Sequence, residues 1–123
     1  MGAELMDERE QAWAASEPAD GTFQFSKVVP GYERLMVVLD EAYQQAAVGK
    51  GAERHGQDLP FEHQPMQQIS RLLDTDGGMA YQAIKKIQET RRLPTVERQK
   101  RELLGAINYL AGMVIYLEDK PGE

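Results

Sequence analysis

From Leu103 to Leu117 the chain reads Leu-Leu-Gly-Ala-Ile-Asn-Tyr-Leu-Ala-Gly-Met-Val-Ile-Tyr-Leu, apolar on nearly every side of a helix and interrupted by one amide, Asn108. The run falls short of the ~20 residues that a membrane span needs. A helix that is apolar all round has to be covered on most sides by other protein, so the rest of the chain must build a helical assembly around it. Gly105, Tyr109, Gly112 and Tyr116 share one face at helical spacing. Each glycine costs about 1 kcal/mol of helix propensity relative to Ala, and close approach by another helix compensates for that. We expect a subunit interface on this face. Asn108 then has two readings, because a buried amide must find a partner: it fixes helix register, or it touches a ligand.

Upstream, the pattern predicts a mainly α domain of about four helices. Pro30-Gly31 opens a helix over Tyr32 to Val48, with Leu35, Met36, Leu39, Tyr43 and Ala46 as its apolar stripe. Pro65 sits at a first helical position, and Met66, Ile69, Leu72 and Leu73 mark the buried face of a short helix that Asp74-Thr75-Asp76-Gly77-Gly78 stops. Met79 to Thr90 follows, with Met79, Ala83, Ile84 and Ile87 inward. Leu93-Pro94 breaks it, and Thr95 caps the last helix, Val96 to Glu118. Thr22 to Val29 alternates like a short extended or strand segment, which would have to pair with another subunit or lie across the helices. Residues 1–22 hold six acidic side chains against Arg9 alone and read as an acidic flexible arm, leaving 23–123 as one helical domain. A domain of this size gains from oligomerisation, and we expect a homo-oligomer.

Composition removes whole classes of chemistry. Without cysteine there is no disulfide, thiolate metal site or cysteine nucleophile, which suits a reducing cytosol. Glu4, Asp7, Glu8 and Glu10 stand where a secretory signal would be basic, so a cytoplasmic location is expected. The net charge is −6, and no basic stripe with interleaved aromatics appears, which argues against duplex nucleic acid as a partner. Locally the balance reverses. Lys85, Lys86, Arg91, Arg92, Arg98, Lys100 and Arg101 face only Glu89 and Glu97, enough to attract an anion unless i,i+4 pairs and solvent absorb them.

The chemistry-bearing segment is Gly49-Lys50-Gly51-Ala52-Glu53-Arg54-His55-Gly56. Glycines let backbone N–H groups turn toward an anion and Lys50 and Arg54 supply countercharge, so the segment reads as a phosphate cradle or, on the plainer reading, as a helix C-cap and surface loop. In the first reading the backbone N–H groups of Gly49 and Gly51 with Lys50 and Arg54 hold phosphate, Lys86 and Arg92 add countercharge, His55, Gln64 or Asn108 hydrogen-bonds a sugar or base, and Glu53 counts among the ligand-binding residues of the segment. No metal or cofactor is required for that binding. An alternative places Mg²⁺ on Glu89 and Glu102.

Glu102-Leu103-Leu104-Gly105-Ala106-Ile107-Asn108-Tyr109-Leu110 resembles the last metal-binding helix of the all-α MazG-like nucleoside triphosphate pyrophosphohydrolases, with Glu102 and Tyr109 matching and Gly105 standing where that family has a metal-binding Asp. That resemblance implies Mg²⁺-dependent pyrophosphohydrolysis. The order Gly-Lys-Gly-x-Glu-Arg-His, then Gln-Ala-x-Lys-Lys-x-x-Glu, then Glu-Leu-Leu-Gly-Ala-Ile-Asn-Tyr-Leu is similar to small helical proteins of tailed phages and prophages. That class includes oligomeric sponges which sequester nucleotide immune signals, and the similarity implies binding of a phosphorylated nucleotide without turnover. A structural or protein-binding phage factor is the third expectation.

Overall fold

A computed structural model describes residues 28–48 and 59–120. Among the described residues 78% are helical and none is in a strand, so the chain is mainly α. Two compact units divide at Val38 and Leu39. In the first, Val28 and Val29 have no regular structure, and the rest of the expected strand and the acidic arm lie outside the described residues. A turn closes from the Tyr32 N–H to the Val29 carbonyl at 3.0 Å, with Gly31 at φ +94°, where a side chain would be strained. The Glu33 carboxylate accepts the Gly31 N–H at 3.0 Å and begins helix α1, Glu33–Ala47, which runs on into the second unit.

The second unit continues with a single 3₁₀ turn, Phe61–His63, then α2, Pro65–Leu73, α3, Gly77–Thr90, and α4, Val96–Asp119. Pro65 occupies the first turn of α2 as its fixed φ favours, and Asp74 closes the helix in the left-handed region at φ 59°. Thr95 caps α4, its hydroxyl accepting the Arg98 N–H at 3.2 Å. α3 and α4 pack side by side as an antiparallel pair. Met79 lies at Gly112 and Lys86 at Gly105, so the residue numbers fall on one helix as they rise on the other.

The glycine face of α4 therefore turns into its own chain. A Cβ on Gly112 would sit 2.8 Å from the Met79 Sδ and 3.0 Å from the Met66 Cε, and one on Gly105 would sit 3.1 Å from the Lys86 Cε. The close approach that these glycines require is made by α2 and α3, where the sequence pointed to a second subunit. Gly105, Ala106, Gly112 and Tyr116 are buried there.

α2 reverses the expected face. Gln67 and Ser70 are its buried residues, while Ile69, Leu72 and Leu73 are exposed, Leu72 by 85%. The absent side chain at Gly112 leaves a gap that Met66 and Gln67 fill, and this fixes the roll of the helix. Likewise Ile84 and Ile87 of α3 are half exposed, and only Met79 and Ala83 are buried in that helix.

The fully buried Gln67 donates its Nε2–H to the Gly112 carbonyl at 2.6 Å, and its Oε1 has no partner among the described residues. An unpaired buried acceptor costs about 1–3 kcal/mol. The Gly112 carbonyl lies inside α4, where the N–H four residues on already pairs it. Gln67→Met is thus expected to leave stability unchanged or raise it by up to ~2 kcal/mol, whereas Gln67→Ala opens a void and costs ~2 kcal/mol or more. Denaturant midpoints of the two variants check the order. A Gln67→Met protein that is the weaker of the two would show that Oε1 holds an essential bond.

Candidate functional site

A cavity of about 310 Å³ lies within the second unit. Its walls come from the C-terminal turns of α1 (Gln45, Ala46), the 3₁₀ turn and the start of α2 (Phe61, Gln64, Met66), Lys86 of α3, Leu93 before the cap, and the first half of α4. On α4 the contributors are Arg98, Arg101, Glu102, Gly105, Asn108 and Tyr109, which share one face because they recur three and four apart.

Gly105 shapes this wall directly. Its missing Cβ lets the Lys86 stem lie against α4, and the ammonium reaches the Glu102 Oε1 at 3.3 Å. Both partners of that pair are part-exposed, so it orients Lys86 more than it stabilises the fold. Arg98 and Arg101 have no ion-pair partner among the described residues. Arg98 sits in the first turn of α4, where the helix end is already positive and a cation is unfavourable, and Arg101 follows one turn later. Three cations against one carboxylate give the cavity a local positive balance in a chain of net charge −6.

Three amides border the space, and each has its donor committed to backbone. Gln45 Nε2–H donates to the Arg101 carbonyl at 3.2 Å, Gln64 Nε2–H to the Leu59 carbonyl at 3.1 Å, and Asn108 Nδ2–H to the Ala42 carbonyl at 2.9 Å. The Asn108 bond ties α1 to α4, which is the register role weighed from the sequence, and the same side chain lines the cavity. With their nitrogens held, the amides keep carbonyl oxygens for a ligand's N–H or O–H groups. Burial raises the Tyr109 phenol above its usual pKa, so at neutral pH it stays a neutral hydroxyl that donates or accepts. Phe61, Met66 and Leu93 complete the wall with apolar surface.

Of the ligand-binding residues expected from the sequence, Gln64, Lys86 and Asn108 meet in this cavity. Arg92 is exposed and not in its lining; the chain turns there, with the Arg92 N–H on the Glu89 carbonyl at 3.0 Å, and presents Leu93 instead. Gly49, Lys50, Gly51, Glu53, Arg54 and His55 lie outside the described residues. Arg98 and Arg101, counted from the sequence in the cationic stretch but not assigned to the site, are the further cations of the lining. Their spacing from Gly105 and Tyr109 on one helical face was the available signal.

Comparison with family models, curated proteins and solved structures gives no match to this chain. The site's chemistry therefore has to be read from its own atoms. Glu102 is held by Lys86, while Glu89 is exposed and outside the lining, so the two acids of the Mg²⁺ alternative belong to different environments. Among the described residues no three His, Asp or Glu side chains group as metal ligands, and no described helix is long and apolar enough to cross a membrane.

Proposed function

We propose that the chain binds a phosphorylated nucleotide in this cavity and does not turn it over. The observation that carries the reading is the pair Arg98 and Arg101, without an ion-pair partner among the described residues and set on the first two turns of α4, beside an adjoining wall of amide oxygens and aromatic and aliphatic surface. An anion placed there would neutralise two cations and the helix terminus together. Phe61 and Tyr109 offer surface for a base, and Gln45, Gln64 and Asn108 offer acceptors for its amino groups or for ribose hydroxyls. Binding without chemistry suits sequestration, and a phage counter-defence sponge for a nucleotide signal is the biological form that the sequence resemblance implies. The homo-oligomer expected from the sequence belongs to the same proposal.

Thermal-shift measurement with nucleoside triphosphates and cyclic dinucleotides, each with and without Mg²⁺, tests it. A ligand at about 100 times its Kd is expected to add ~2.7 kcal/mol of apparent stability without metal. No shift with any nucleotide would overturn the reading. A response confined to Mg²⁺ and accompanied by loss of the triphosphate would replace it with pyrophosphohydrolysis.

A further inference from the structure

Helix α4 carries a second apolar stripe on the side away from the cavity. Val96, Lys100, Leu103, Ile107, Leu110, Val114 and Leu117 recur at alternating steps of four and three, the period of about 3.5 residues that marks a coiled-coil seam. Leu103, Leu110, Val114 and Leu117 are 43%, 50%, 55% and 58% exposed, although they belong to the helix whose other face buries Gly105, Gly112 and Tyr116. A helix that served only its own core would be polar here. From Leu103 to Leu117 the seam runs for about 20 Å.

We infer that this seam is the docking surface for α4 of a second copy of the chain, laid antiparallel. A strict heptad period is matched by another helix, not by an irregular segment. Between Leu103 and Leu117 the flanking positions Leu104, Ala111 and Met113 are uncharged and partly small, so this stretch admits close approach and carries no charge code for a foreign partner. Lys100, the one polar seam residue, decides orientation. A parallel pair would set it against its own copy. The antiparallel pair that puts Ile107 against Leu110 of the second copy also puts Val114 against Leu103, and brings Lys100 to Leu117 beside the acids Glu118 and Asp119. This interface lies on the side of α4 opposite the glycine face.

Light scattering on the full chain in solution tests the pairing. The protein is expected at an even multiple of its 13.9 kDa chain mass, with Leu110→Glu and Val114→Lys each halving it while far-UV circular dichroism stays unchanged. Both side chains are already half exposed in the single chain, so the charged variants should fold. Leu72→Lys, at the most exposed leucine of α2, is expected to leave the mass as it is. Because the chain has no cysteine, Lys100→Cys and Leu117→Cys variants report orientation cleanly: oxidised together they should cross-link to each other, and neither to itself. A single-chain mass for the native protein, or an oligomer that both seam variants leave intact, overturns the interface. Self-cross-linking of each cysteine variant overturns the antiparallel arrangement.

Discussion

Reversing Arg98 and Arg101 to glutamate is expected to abolish nucleotide-induced stabilisation while leaving the fold untouched. Each arginine contributes a charge-assisted hydrogen bond of about 1.5–3 kcal/mol to a bound phosphate, so losing both weakens binding by roughly a hundredfold or more, before the added repulsion. Among the described residues neither side chain makes a hydrogen bond or an ion pair. Both are exposed, and the contacts recorded for these residues run through backbone, the Arg98 N–H to Thr95 and the Arg101 carbonyl to Gln45. Glutamate at 98 also stands three residues after the Thr95 cap, where a carboxylate completes a capping box and suits the helix dipole. The double variant should therefore melt at or above the native temperature without ligand and show no shift with it. If the variant keeps the native shift by thermal melt and calorimetry, the cavity is not the binding site. Lys86→Ala should weaken binding to a lesser degree, since Glu102 already shares that charge.

Met79→Ala is expected to cost ~2–5 kcal/mol, a large part of the stability available to a domain of this size. Among the described residues Met79 is the largest fully buried side chain, and it packs into the space that Gly112 leaves on α4. The other buried apolar residues among those described are three alanines, Ala42, Ala83 and Ala106, and the rigid ring of Tyr116, none of which can extend to fill the void. The melting temperature should fall by ~10 °C or more, and Met79→Leu, which keeps most of the volume, should lose less than ~1.5 kcal/mol. Ile84→Ala, at a half-exposed position of the same helix, serves as the comparison. Equal melts for Met79→Ala and Ile84→Ala would show that the α3–α4 contact is not the core.

Much of the fold was legible because its signals are local. Pro65 at a helix start, Thr95 as a cap and the break at Leu93-Pro94 act through their own backbone and through neighbours a few residues away, and the helices begin and end close to where those residues place them. The facing of the helices was less legible. Apolar spacing on α2 selected Ile69, Leu72 and Leu73 as the buried set, yet Gln67 and Ser70 are inside, because the gap at Gly112 accepts Met66 and Gln67 and the whole helix rolls to follow. The site divides in the same way. Lys86, Gln64 and Asn108 stood out as single residues, whereas Arg98 and Arg101 became site residues only when α1, α2 and α3 closed around the first turns of α4.

The sequence alone determined that the chain is helical, where its helices are punctuated, and that the last of them is apolar on nearly every side from Leu103 to Leu117, since propensity, capping and periodicity are properties of neighbouring residues. The tertiary structure decided which side of that helix its own chain covers. Two glycines seven residues apart could not reveal this by pattern, because from Leu103 to Leu117 both faces of α4 are apolar and only the fit of Met79, Met66 and Lys86 against Gly112 and Gly105 tells them apart.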